Sequence, residues 1–180
     1  MNRDSTLIND FLNGNERAFD ELVNTYSAKS FRLIYSFVYK HHDAQDLNQE
    51  LWLLVYRNLK YFKHQAQFYT WLYRIAVNLC NRFLQKNKTR LSPEEFTANT
   101  TVFGTNPDEI TQNNDTMRKI YSAVACLPEK QRAVFILRNY QNLSYEEISG
   151  IINISVGSAK TNHCYAVKTL QNLLPKDVIL

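Results

Sequence analysis

The sequence predicts an all-α fold: two small helical domains joined by a flexible linker, the C-terminal one a helix-turn-helix. Three observations predict it. Only four Gly and four Pro occur in 180 residues, too few for a turn-rich β fold, while long apolar and aromatic side chains abound. Those apolar residues recur three and four apart through most of the chain, the period of a helix with one buried face. The period lapses from about Asn87 to Thr111, where Ser92-Pro93, Gly104 and Asn106-Pro107 supply breaker signals among dense Thr and Asn. The chain therefore divides into 1–87, a linker over 88–112, and 113–180.

Asp4 or Ser5 is placed to cap a first short helix burying Leu7, Ile8, Phe11 and Leu12, with Gly14 as its left-handed stop. Asn15 caps a second helix carrying Phe19, Leu22, Val23 and Tyr26, and helix resumes or continues through Phe31, Ile34, Phe37 and Val38 to His41. A third runs from Asp43 to about Leu59 on Leu47, Leu51, Leu54 and Val55. Asp43 and Asp46 near its start suit the positive end of the helix dipole. A fourth runs from about Phe68 to Lys86 and buries Leu72, Ile75, Ala76, Leu79 and Phe83.

Beyond the linker, helix returns from about Asp108 or Asn113 to Ala125, on Ile110, Met117, Ile120, Tyr121 and Val124. Leu127-Pro128-Glu129 starts another, with Pro at the first helical position, and Val134, Phe135 and Leu137 line its face up to Tyr140. Ser144-Tyr145-Glu146-Glu147 is a capping box that opens a short helix through Ile148, Ile151 and Ile152. Asn153-Ile154-Ser155 turns the chain into a last helix, Val156 to Leu174, with Val156, Ala159, Ala166, Val167, Leu170 and Leu173 inward.

The net charge of +4 says less than its distribution. Between Glu50 and Glu94 there is no acidic residue, yet Arg57, Lys60, Lys63, Arg74, Arg82, Lys86, Lys88 and Arg90 lie there, interleaved with aromatics from Trp52 to Phe83. A positive field without competing carboxylates attracts phosphate, and aromatic faces within it accept unstacked bases. Acids vanish again from Ile148 to Lys176, leaving Lys160, Lys168 and Lys176. Two basic surfaces joined by an acidic connector suggest two nucleic-acid contacts. The plainer alternative is a helical core whose Lys and Arg are merely solvated.

Catalysis is not expected. The chain has no P-loop and no HExxH, and His41-His42-Asp43 is a poor metal site because adjacent helical side chains point about 100° apart. No cofactor is called for. Cys80, Cys126 and Cys164 are odd in number and unpaired in sequence, which predicts reduced core thiols. No apolar run reaches bilayer length and no signal segment precedes the first helix, so a cytoplasmic protein without membrane insertion is expected.

Three constellations carry the chemistry. Outward positions of the last helix are Ser158, Lys160, Thr161, Asn162, Tyr165, Lys168 and Thr169, small polar and basic groups suited to base edges and phosphates. On the fourth helix, Trp71, Arg74, Asn78 and Arg82 fall on one stripe ~16 Å long. Before it lies a loop with Lys60, Tyr61, Phe62, Lys63 and His64, so the two together can hold a strand and stack its bases. The third constellation is Asp46, Gln49, Glu50, Leu53 and Arg57 on the outer face of the preceding helix. It is polar and partly acidic, which suits a protein partner better than DNA.

On these residues the chain resembles a bacterial RNA polymerase sigma factor of the extracytoplasmic-function group. The matching stretches are DAQDLNQELWLLVYRNL (43–59), FYTWLYRIAVNLCNRFLQK (68–86) and LPEKQRAVFILRNYQNLSYEEISGIINISVGSAK (127–160), in the family's order. The resemblance implies that the 43–59 helix docks on the clamp helices of the largest polymerase subunit through Asp46, Gln49 and Glu50. It implies that the Tyr61–Gln67 loop and the Trp71 stripe open and hold the non-template strand of the minus-ten element. Lys160, Thr161 and Tyr165 would enter the minus-thirty-five element, and the Leu127–Tyr140 surface would lie near the flap of the second-largest subunit. An anti-sigma factor is implied as a further partner. Asn162 and Tyr165 stand where the family often has arginine, and His163 where an apolar residue is usual.

Melting would then be driven by binding. Each captured base returns ~1–3 kcal/mol, against a mean stacking cost of ~1.4 kcal/mol per base-pair step. Two rival readings are a stand-alone helix-turn-helix regulator that never touches polymerase and a polymerase-binding antagonist that does not initiate.

Overall fold

The computed structural model describes residues 3–87 and 119–174, all of it helix, turn or connecting loop. The expected linker, the helix start near Asp108 or Asn113, and the cations Lys88, Arg90 and Lys176 lie outside the described residues.

Helix α1 spans Arg3–Leu12 and buries Ile8. It begins before the expected caps, so Asp4 lies in its first turn, where the carboxylate accepts from the Tyr26 hydroxyl at 2.7 Å. Leu12, expected inside, is 46% exposed. Gly14 turns the chain at φ 98, a conformation that a Cβ would strain. Asn15 occupies the N-cap of α2, Glu16–Val38, through its extended backbone alone, without a side-chain cap bond.

Helix α2 is one unbroken element and the axis of this half, packed on α1, α3 and α4. It stops three residues earlier than expected from the apolar pattern because Tyr39 takes the left-handed conformation, φ 55, with its amide bonded to the Tyr35 carbonyl. Helix α3, His41–Asn58, passes through a short 3-10 turn, Leu59–Tyr61, into the loop before α4, Phe68–Asn87. Leu22, Leu33, Phe37, Leu51, Val55, Leu59, Phe68 and Leu72 close the core between these four helices.

The second half contains a helical stretch over 119–126 (α5), then α6, Glu129–Asn139, α7, Tyr145–Ile152, and α8, Val156–Leu173. Pro128 caps α6 from outside rather than opening it, since its ψ of 147 is extended. The Ser144 capping box is complete: the Ser144 hydroxyl accepts from the Glu147 amide at 3.2 Å, and the Glu147 carboxylate accepts from the Ser144 amide at 2.7 Å. Asn153 takes the left-handed turn and Ser155 caps α8, accepting from the Ser158 amide. Helices α7 and α8 thus form the expected helix-turn-helix, with α6 across both. Leu173, expected inward, is 51% exposed, because α8 at 18 residues outruns the 11 residues of α6 on which it packs. Cys80 is a core thiol as expected, whereas Cys126 and Cys164 are exposed.

The two halves touch. Helix α7 packs on α4 and α6 on α2. The Tyr69 hydroxyl donates to the Glu147 carboxylate, and the Arg74 guanidinium to the Gly150 carbonyl. Asn81 and Gln85 donate to the two Glu129 oxygens at 2.9 and 3.1 Å, and the Tyr39 and Tyr121 rings stack 4.0 Å apart.

Candidate nucleic-acid interface

Helix α3 places Ala44, Leu47, Leu51 and Val55 in the core. The period of 3.6 therefore turns Asp46, Gln49, Glu50, Leu53 and Arg57 outward together, and all five are exposed. Leu53 is 58% exposed, an apolar side chain on a charged face. Tyr56, which the charge pattern did not single out, joins it, its ring edge-on to Phe11 and Phe19 at 5.1 Å. A polar face with an apolar spot is what a protein partner covers.

The loop before α4 divides in two. Lys60, Tyr61, Lys63 and His64 are exposed, and the Lys60 ammonium stands 5.1 Å from the centre of the Tyr61 ring, which is 64% exposed. Phe62 corrects the expectation of a free stacking face: it is 8% exposed and packs against His64, Phe68 and Trp71, at 4.8, 6.0 and 5.4 Å. It packs against the Trp71 ring, and Tyr61 is the exposed ring of the pair.

Helix α4 carries the stripe as expected. Arg74, Asn78 and Arg82 are exposed and Trp71 is half-buried. The surrounding charge differs from the linear pattern. No carboxylate occurs within the stretch, but Glu129 and Glu147 of the other half reach α4 through Asn81, Gln85 and Tyr69. The Tyr69 bond is the first cause, with the Ser144 amide second, that holds the Glu147 carboxyl below its ordinary range.

On α8, Lys160, Thr161, Tyr165 and Lys168 are exposed, while Ser158 and Asn162 are half-buried. Thr161 donates to the Gly157 carbonyl at 3.0 Å and Asn162 to the Ser158 carbonyl at 2.8 Å, so both are turned back onto their own helix. Beside them is a cluster that the spacing did not reveal. The Tyr145 ring lies 5.0 Å from the Arg138 guanidinium and 5.9 Å from the Lys160 ammonium. His163 joins it between α6 and α7, with Nε2 3.0 Å from the Asn139 amide nitrogen and Nδ1 2.9 Å from the Tyr145 hydroxyl. Burial first, then Arg138, lowers its pKa below the ordinary 6.5. The one signal in the sequence was an imidazole where the helical pattern asks for an apolar side chain.

Among the described residues no group of acidic, His and Cys side chains is arranged to hold a metal, and no helix is long and apolar enough to cross a membrane.

Comparison with known proteins decides what these surfaces belong to. Residues 22–90 match the family model of Sigma-70 region 2, and residues 117–170 that of Sigma-70, region 4. The RNA polymerase sigma-H factor of Pseudomonas aeruginosa is 32% identical over 168 residues, 88% of this chain and 87% of that protein. The chain belongs to the sigma-70 family, in its extracytoplasmic-function group. The ECF sigma factor SigW of Bacillus subtilis is likewise 32% identical, over 82% of this chain and 84% of that one. Two solved structures share the fold: CnrH in complex with the cytosolic domain of CnrY, at TM-score 0.69 and 19% identity over 96% of this chain and 97% of that chain, and the sigma factor RpoE with the anti-sigma factor NepR from Bartonella quintana, at 0.63 and 21% over 88% and 98%.

This sigma factor directs transcription initiation by RNA polymerase, as a non-enzymatic subunit that binds the core enzyme and promoter DNA. Membership decides against a stand-alone regulator and against an antagonist that does not initiate.

Proposed function

We propose a division of labour among the three surfaces. The outer face of α3, with Asp46, Gln49, Glu50, Leu53 and Arg57, docks on the clamp helices of the largest polymerase subunit. Lys60, Tyr61, Lys63 and His64, with Trp71, Arg74, Asn78 and Arg82 over Phe62, capture the non-template strand of the minus-ten element. Helix α8 reads the minus-thirty-five element with Lys160, Tyr165 and Lys168 toward the DNA, while Ser158, Thr161 and Asn162 shape the backbone that presents them. The Leu127–Tyr140 surface faces the flap of the second-largest subunit. Residues 1–87 and 113–180 act as the two binding domains and 88–112 as their connector, in the cytoplasm, under the control of an anti-sigma factor.

The observation that carries this reading is the pairing of an exposed cationic-aromatic stripe on α4 with an exposed acidic face on the neighbouring α3. The stripe suits a single strand, whose bases stack at ~1–3 kcal/mol each without nucleotide hydrolysis. The acidic face repels DNA and suits protein. Reconstitution with core polymerase on a promoter library tests it: specific initiation with permanganate-reactive bases at minus ten is expected, and duplex binding without core-dependent opening would overturn it.

A further inference from the structure

A cavity of about 600 Å³ lies between the two halves, and no residue of the α3 face, the Trp71 stripe or α8 lines it. Helix α2 supplies Tyr26, Lys29, Arg32 and Tyr35, and α4 supplies Tyr69 and Tyr73 from the face opposite that stripe. From the other half come Tyr121 of α5 and, just past α6, Tyr140 and Gln141. The halves share one buried apolar cluster that includes the stacked rings of Tyr39 and Tyr121, so the walls are held in place.

The lining holds seven tyrosines, two cations and no carboxylate. Two of the hydroxyls are committed: Tyr26 donates to Asp4 at 2.7 Å, and Tyr69 donates to Glu147. Those of Tyr73, Tyr121 and Tyr140 make no hydrogen bond among the described residues. Burial keeps all three protonated well past neutral pH, with Tyr140 pushed up to about 12, so each can donate. Lys29 and Arg32 are exposed and form no ion pair among the described residues, and the Lys29 ammonium stands 5.6 Å from the centre of the Tyr26 ring. Cations and phenolic donors together satisfy phosphate oxygens, and a guanidinium takes them in pairs. Tyrosine rings accept the face of a base. The volume falls in the range of small-molecule sites, ~300–1,000 Å³.

We propose that this cavity binds a free nucleotide, its phosphates held by Lys29, Arg32 and the hydroxyls of Tyr73 and Tyr140, its base laid against the tyrosine rings. The proposal is independent of the roles assigned to α3, α4 and α8. Both halves line the cavity, so an occupant stabilises their pairing by mass action.

Photolabelling of the full-length chain with 8-azido-ATP tests it. Saturable label should map to peptides carrying Tyr35 and Tyr140, one from each half, and ATP should protect them. Lys29→Ala with Arg32→Ala should weaken ATP binding by about tenfold or more. Both side chains are exposed, so the melting temperature without ATP should stay unchanged. ATP should raise that temperature in the wild-type chain and not in the double variant. Arg17→Ala with Lys86→Ala removes the same charge away from the cavity and should leave ATP binding within about twofold. Tyr73→Phe with Tyr140→Phe keeps the rings and removes two donors, and should weaken binding about tenfold. Tripolyphosphate that displaces the label as well as ATP does would reveal a polyanion site that reads no base, and would overturn the proposal. So would the absence of saturable label, label mapped to the Trp71 stripe or α8, or displacement by a single-stranded oligonucleotide but not by ATP.

Discussion

At the scale of single residues, the aromatic cluster under α4 assigns different work to side chains of similar type. Trp71 lies over buried Phe62 and Phe68 with its ring held, and Arg74 follows one turn later on the same face. Trp71→Ala with Arg74→Ala should cost about one stacked base, ~1–3 kcal/mol, seen as loss of permanganate reactivity with core affinity unchanged in a pull-down titration. His163 carries a second prediction. Asn139 donates through its amide nitrogen to the Phe135 carbonyl and faces Nε2 with the same nitrogen, so neutral His163 carries its proton on Nδ1, toward the Tyr145 oxygen. Arg138 from α6 and Lys160 from α8 both stand around that Tyr145 ring, and protonation adds a third positive charge. The folded pKa is lowered, so the stabilisation is complete above the ordinary 6.5 and is lost as pH falls through the lowered value. The thermal midpoint of the C-terminal domain should therefore drop between pH 7.5 and pH 5.5, roughly one unit either side of the ordinary value for histidine, and His163→Gln should flatten the drop.

At the scale of elements, each helix is bounded by chemistry that can be removed. Ser144 and Glu147 satisfy each other's amides at the start of α7. Ser144→Ala should destabilise the C-terminal domain by about 1 kcal/mol, a fall of roughly 4–8 °C in midpoint for a domain of this size, read by calorimetry. On α3, the exposed face is separable from the core beneath it. Asp46→Lys with Leu53→Ala should weaken core association about tenfold or more without moving the melting temperature, because neither side chain is buried in the free chain. Unchanged core affinity would remove α3 from the docking surface. Helix existence was legible from apolar spacing across the described residues, and the capping box from four letters. Helix ends were less so. Tyr39 stops α2 by a backbone conformation that no apolar pattern encodes, and Pro128 sits outside α6 by one residue.

At the scale of the whole molecule, ionised Glu147 links the halves through Tyr69. Its folded pKa is lowered, so the link is fully present above the ordinary 4.5 and is lost as pH falls through the lowered value. A fluorophore pair across the two halves should report separation at acid pH, and Glu147→Gln should make the distance insensitive there. No shift in the wild-type chain would exclude Glu147 as a link between the halves.

Taken alone, the amino-acid order determined what depends on neighbours in sequence: helical period, the capped helix-turn-helix, the exposed α3 face and the stripe from Trp71 to Arg82. Each follows from side chains three or four residues apart on one helix, where geometry is nearly constant. Only the tertiary structure decided what depends on residues far apart. Phe62 became a buried support, the acid-free α4 acquired Glu129 and Glu147, and His163 found Asn139 and Tyr145. Burial and electrostatic environment belong to the packed neighbourhood rather than to the residue, and packing brings together groups that no local period relates.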